Sequence, residues 1–181
     1  MQIVDYKPLY KESVRAVCLA TASERARTQA THRAFTYDMY CDEYLDHEIA
    51  LILEDGGIAH GYVLCAPDFD AWIQHASPYH ERIRSLGPAY VDRLAREIGT
   101  YRRHKDRYPA HLHIDIEPGL TGSGWGGKLI ETLIERLNDQ HVPGLMLGVS
   151  ADNTAAIRFY ERHGFELIES DDLSLLMGCR L

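Results

Sequence analysis

No apolar run in these 181 residues approaches the roughly 20 positions that a membrane span requires. The opening MQIVDYKPLY lacks the apolar block of a signal peptide, so the expectation is a protein of the cytoplasm. The four cysteines, Cys18, Cys41, Cys65 and Cys179, include no CxxC pair. Scattered in this way they read as reduced core or surface thiols rather than zinc ligands or a disulfide frame, and no metal is expected. Basic residues are too few to balance the acids. The formal net charge of −8 disfavours nucleic acid and anionic membrane surfaces as partners. No GK[ST] follows any glycine loop, which excludes a Walker phosphate site. Without a repeat, linker or low-complexity tract, residues 1–181 are expected to form a single domain with a substantial core.

What is present is a regular alternation of elements. Ile3–Tyr6 reads as a strand, and Pro8 suits the start of a helix whose Tyr10, Val14, Val17 and Cys18 share a face. Residues 24–46 are expected to form one or two helices with irregular joins. Ile49–Leu53 and Ile58–Cys65 flank Asp55-Gly56-Gly57, a hairpin signal. Residues 68–108 read as a helical, charge-rich insertion ending in YRRHKDRYP. That basic cluster is either a solvated helix end or a wall over an acceptor site. A strand from Ala110, a glycine loop, and a helix striped by Leu129, Ile130, Leu133, Ile134 and Leu137 follow. Leu145–Val149 reads as a strand, then comes another helix, and Phe165–Glu169 with Leu173–Cys179 reads as a closing hairpin through Asp171-Asp172.

The loop TGSGWGG puts Gly122, Gly124, Gly126 and Gly127 at the mouth of a helix. Glycine lets backbone approach a ligand closely, and the first amides of a helix have no intrahelical acceptor. Together they suit a diphosphate. The segment also fits GxGxxG, but it lies in the last third of the chain and lacks the ribose-binding acid of a dinucleotide fold. On the later helix, Asn153, Ala156, Tyr160 and Gly164 fall at offsets of three or four, on one face, with Gly164 at the helix end.

Loop and helix together, with N-x-x-A-x-x-x-Y-x-x-x-G-F, resemble the GNAT superfamily of acetyl-CoA-dependent N-acetyltransferases. The family's Q/R-x-x-G-x-G pattern falls on Thr121 to Gly126, with Thr121 where Gln or Arg is usual. The segments YKPLYKESVRAVC, LILEDGGIAHGYVL and YPAHLHIDI are similar to the acetyltransferase-like C-terminal domain of animal protein O-GlcNAc hydrolase and to free-standing bacterial proteins of that type. The resemblance implies an α/β (α+β) GNAT fold. Its mixed, mostly antiparallel sheet of about six or seven strands is flanked by helices, with a helical insertion between the third and fourth strands. It implies acetyl-CoA as co-substrate, bound by Ile116, Thr121, Gly122, Ser123, Gly124, Trp125, Gly126, Gly127, Asn153 and Tyr160. It implies Tyr160 as the acid that protonates the departing thiolate, an unidentified amine as acceptor, and it admits a homodimer.

The base is read from the strand HLHIDI. Its period of two places His111, His113 and Asp115 on one face, where unpaired burial in an apolar core would be costly, so they should line a cleft or form a satisfied network. Asp115, nearest the loop, is favoured and His113 is next. The main chain around Ile116 is expected to bond the pantetheine arm. No cysteine adjoins these motifs, which disfavours a cysteine-borne intermediate. Direct acetyl transfer to a primary amine is the leading expectation, and a non-catalytic acyl-CoA-binding module is the alternative.

Overall fold

The strongest local signal becomes the centre of the sheet. In the computed structural model, which describes all residues from Met1 to Leu181, strands β2 (Ile49–Asp55) and β3 (Ile58–Ala66) are joined by Gly56 and Gly57 at φ 60° and 84°. Two positive φ angles match the right-handed twist of the paired strands, and glycine adopts them without strain. Both strands are almost continuously buried, as their apolar sequences require of strands covered on two faces.

The remaining strands are β1 (Gln2–Asp5), β4 (Ala110–Ile116), β5 (Gly144–Ser150), β6 (Glu166–Ser170) and β7 (Ser174–Arg180). They form one seven-stranded sheet in the order β1-β2-β3-β4-β5-β7-β6. Every pairing is antiparallel except that of β4 with β5. Helices α1 (Lys11–Thr21), α2 (Glu24–Thr28) and α3 (Ala30–Tyr37) precede β2. A π-turn at Asp38–Asp42 and the short α4 (Glu43–Leu45) complete the irregular segment that the sequence foreshadowed. The expected insertion between the third and fourth strands consists of α5 (Phe69–His75), α6 (Ser77–Ser85) and α7 (Pro88–His104). Helices α8 (Trp125–Asp139) and α9 (Thr154–Arg162) flank β5 in sequence.

Each sheet face has its own core. Tyr10, Val14, Val17, Tyr44, Tyr62, Trp72 and Tyr101 fill one. Leu129, Ile130, Leu133 and Leu137 of α8 fill the other with β4 and β5, fully buried as the stripe predicts, while Ile134 is only partly covered. Each such side chain contributes on the order of 2 kcal/mol of apolar burial. The basic end of the insertion is tied down locally: Arg103 and His104 pair with Glu169, and Lys105 with Asp70. YRRHKDRYP is therefore a helix end packed on its neighbours, whereas the middle of α7 reaches a cavity described below. No helix is long and apolar enough to cross a membrane.

Candidate active site

The parallel pair β4 and β5 meets at only two positions, Ala110 with Leu145 and His111 with Met146. Beyond them the strands part. Glu117 donates its amide to His60 on β3, so by strand alternation the main-chain groups of Ile114 and Ile116 point the other way, toward β5. Ala151 donates to Leu173 in the β7 ladder, so Gly148 and Ser150 correspondingly face β4. The gap thus carries two facing rows of backbone donors and acceptors with no ladder partner. An extended, amide-bearing chain fits between such rows as a strand would.

At the mouth of this gap stands the glycine loop. Gly122 and Gly124 have φ of 80° and 86°, and Gly124 is the N-cap of α8, supplying no side chain to its first amides. The other two glycines serve packing. A Cβ on Gly126 would lie 3.3 Å from the Phe159 ring, and one on Gly127 would lie 2.9 Å from Nε2 of His163. His163 is itself fixed by a 2.8 Å contact of Nδ1 with the Phe159 carbonyl oxygen. The close approach of α9 therefore demands the second pair, and the left-handed turn demands the first. Lys128 lies 4.2 Å over the Trp125 ring beside these amides.

A cavity of about 250 Å³ opens where β4 and β5 diverge, lined among others by His113, Asp115, Gly148, Ser150, Asn153 and Tyr160. His113 and Asp115 share this face as the alternation requires, and Leu112, Ile114 and Ile116 pack on the opposite side. Burial pushes the Asp115 carboxyl up to about 6, although the hydrogen bond from Tyr62 opposes the shift. The Tyr62 hydroxyl donates to Asp115 Oδ2 at 2.5 Å from the paired position on β3. Burial pushes the His113 imidazole down to about 4, and its Nε2 has no partner within the chain. The Tyr160 phenol is raised first by burial and then by the Asp115 charge, so it holds its proton at neutral pH. Asn153 caps α9, its Oδ1 accepting from the Ala156 amide at 3.1 Å, and Gly164 takes the left-handed conformation just past the helix.

Two expectations need correction. His111 neither lines the cavity nor joins a satisfied network. It is fully buried, its ring stacked 4.5 Å from Tyr101 and edge-on 4.4 Å from Trp72, with both nitrogens unpartnered. Aromatic packing from the insertion claimed this end of the strand, and nothing in the strand's own sequence announces it. Second, Cys18 does reach the site. Helix α1 crosses β3 and β4 and brings Cys18 and Thr21 to the cavity wall. The neighbouring Cys18 thiol and burial together push the Cys41 thiol well above its ordinary value. Tyr62, Tyr40 and Cys18 were the residues that sequence reasoning missed. Tyr62 is set opposite Asp115 by the pairing of β3 with β4, which joins strands separated by the whole insertion.

A second, larger cavity of about 750 Å³ adjoins the first through Tyr40, His113 and Gly148–Ser150, and is walled by α7 and the β6–β7 turn. Tyr40 projects from the π-turn, an irregularity that re-aims a single side chain. Its ring meets His113 edge-on at 5.1 Å.

The sheet is thus split at one parallel pair, with an uncapped helix start at the mouth of the split. The profile of the Acetyltransferase (GNAT) family matches residues 19–165, and the chain belongs to that family. Among curated proteins, a mycothiol acetyltransferase of Brachybacterium faecium is 44% identical over 58 residues, 32% of this chain and 18% of that protein. One from Streptomyces scabiei is 41% identical over 58 residues, 32% and 19% of the two chains. The match thus spans about a fifth of the length of these relatives. The crystal structure of SsHAT superposes with a TM-score of 0.85 at 27% identity, covering 99% of this chain and 97% of that one. PaiA N-acetyltransferase from Thermoplasma acidophilum, solved in complex with coenzyme A, superposes with a TM-score of 0.63 at 14% identity over 100% of both chains, a likeness of fold.

Proposed function

We propose that this chain is an N-acetyltransferase that moves the acetyl group of acetyl-CoA directly to a primary amine. We read it as a bacterial, cytoplasmic relative of the acetyltransferase-like domain of protein O-GlcNAc hydrolase. One observation supports the reading above the rest. A carboxyl titrating near 6, Asp115, and a phenol held protonated, Tyr160, line the same cavity where β4 leaves β5. Burial raises both groups, and perturbed titratable groups that share a cleft mark a candidate functional site.

The residues divide the work as follows. The amides of Gly122 and of Gly124 to Gly127 hold the diphosphate of the co-substrate, those of Thr121 and Ser123 being spent on the Pro118 and Leu120 carbonyls, and the main-chain groups of Ile114, Ile116 and Gly148 with the Ser150 amide hold its amide-bearing arm. Asn153 positions α9, and hence Tyr160, through its cap. Asp115, ionised above about pH 6, takes one proton from the acceptor ammonium. The freed nitrogen attacks the thioester carbonyl carbon, an N–C bond forms and the C–S bond breaks. Tyr160 gives its proton to the departing sulfur and recovers one from the acylated nitrogen, so charge and protons balance. His113, neutral and with a free nitrogen, relays protons through water.

The test is release of CoA thiol from acetyl-CoA across a broad amine panel. Turnover with at least one primary amine, abolished in Asp115→Asn, supports the reading. Acetyl-CoA binding with no thiol release from any amine would point instead to a binding module.

A further inference from the structure

The second cavity carries information about the acceptor, and its charges are unevenly satisfied. Asp171 is consumed by its own turn, accepting from the amides of Leu173 and Ser174. Glu97 accepts from the Tyr101 hydroxyl at 3.0 Å and is raised by burial. Asp92 stands exposed on the rim. Arg93 and Arg96 also line the cavity, three residues apart on α7 and so on one helix face. Both are absent from the ion pairs that bind Arg15, Arg82, Arg84, Arg103 and Arg136 to carboxylates. Arg93 is nonetheless held in place, its guanidinium 5.2 Å from the Phe35 ring centre and 5.8 Å from that of Tyr40. Neither guanidinium has a carboxylate within ion-pair distance, although Arg93 acts on the Glu97 carboxyl and Arg96 on that of Asp171; with Arg93 positioned by two rings and both in a cavity that reaches His113, the pair is a receptor for an anion.

The same rings set the reach. Tyr40 lies 5.8 Å from the Arg93 guanidinium and 5.1 Å from the His113 ring. The guanidinium is therefore at most about 11 Å from the imidazole, a span that about three extended residues cover.

From this we infer that the acceptor is a compact amine that also bears an anionic group, bound by Arg93 and Arg96 while its nitrogen faces Asp115 and His113. The inference rests on the acetyltransferase reading and narrows it. An amino acid or a peptide of two or three residues with a free carboxylate satisfies the span, as does a small amine phosphate. A polyamine does not.

Matched pairs test it on the intact protein. We expect kcat/KM for alanine, alanyl-alanine or ethanolamine phosphate to exceed that of alaninamide, alanyl-alaninamide or ethanolamine by about 10- to 100-fold, the range of one charge-assisted contact. The two carboxylate pairs and the phosphate pair tell which anion is preferred. Arg93→Gln and Arg96→Gln should each pull the winning ratio to within about threefold of unity, and Arg136→Gln, on α8, should leave it as it was. A wild-type ratio near one, or a ratio that survives both cavity variants, overturns the inference. Calorimetry keeps the decision independent of turnover, because the N-acetylated acids should bind the CoA-saturated protein at least tenfold more tightly than the N-acetylated amides. Equal affinities refute the anion site even if no amine is turned over, whereas turnover of amines without discrimination refutes the inference and spares the acetyltransferase.

Discussion

Asp115 offers a prediction in which function and stability pull in opposite directions. Its carboxyl is raised from an ordinary 3.8 to about 6, chiefly by burial. In the unfolded chain the proton leaves near the lower value and in the folded protein near the upper, so the native state binds more protons between them. Stability from this group is complete below the lower value and is lost as pH rises through the upper one. At 1.36 kcal/mol per unit, the full penalty is about 3 kcal/mol once both states are ionised. Asp115→Asn keeps the shape and still accepts from Tyr62, but it cannot ionise. Its stability relative to wild type should therefore rise by about 1.4 kcal/mol between pH 5 and pH 8, or about 3–6 °C in Tm for a domain of this size. Urea unfolding of both proteins at the two pH values measures it, and all other titrations cancel in the difference. A difference independent of pH would refute the claim that burial perturbs this carboxyl.

Other expectations follow from the same geometry. Tyr160→Phe should lower kcat by about 100-fold or more while leaving acetyl-CoA affinity within about twofold, as steady-state kinetics and calorimetry would show. The acid limb of kcat/KM for the wild type should rise through about pH 6 as Asp115 ionises, and a limb centred near 4 would shift the base role to His113. By NMR, the imidazoles of His80 and His113 should stay neutral until about pH 4, because burial holds both down; titration of either near 6.5 contradicts this. Gly127→Ala drives a methyl into Nε2 of His163, so it should cost about 1–3 kcal/mol in urea unfolding.

Much of the scaffold was legible because its signals are local. The two-glycine turn after Asp55, the apolar stripe of α8 and the period of two in β4 each constrain a backbone by sterics or burial that neighbouring residues already reveal. The site was legible in outline for the same reason, since loop, cap and strand face are short motifs. What escaped depends on contacts between distant segments. Helix α1 and the π-turn bring Cys18 and Tyr40 to the cavity, and insertion aromatics enclose His111. Neither a period nor a turn residue encodes which helix crosses which strand. Gly126 and Gly127 illustrate the limit from the other side: the motif marks them, but only the packing of α9 shows that they make room for Phe159 and His163 rather than shape the loop.

A crystal structure of the protein soaked in acetyl-CoA tests the central claim most directly. Diphosphate oxygens should sit within hydrogen-bond distance of amides between Gly122 and Gly127, with the thioester lodged between β4 and β5 beside Tyr160. A nucleotide bound elsewhere, or none at millimolar concentration, would contradict the account.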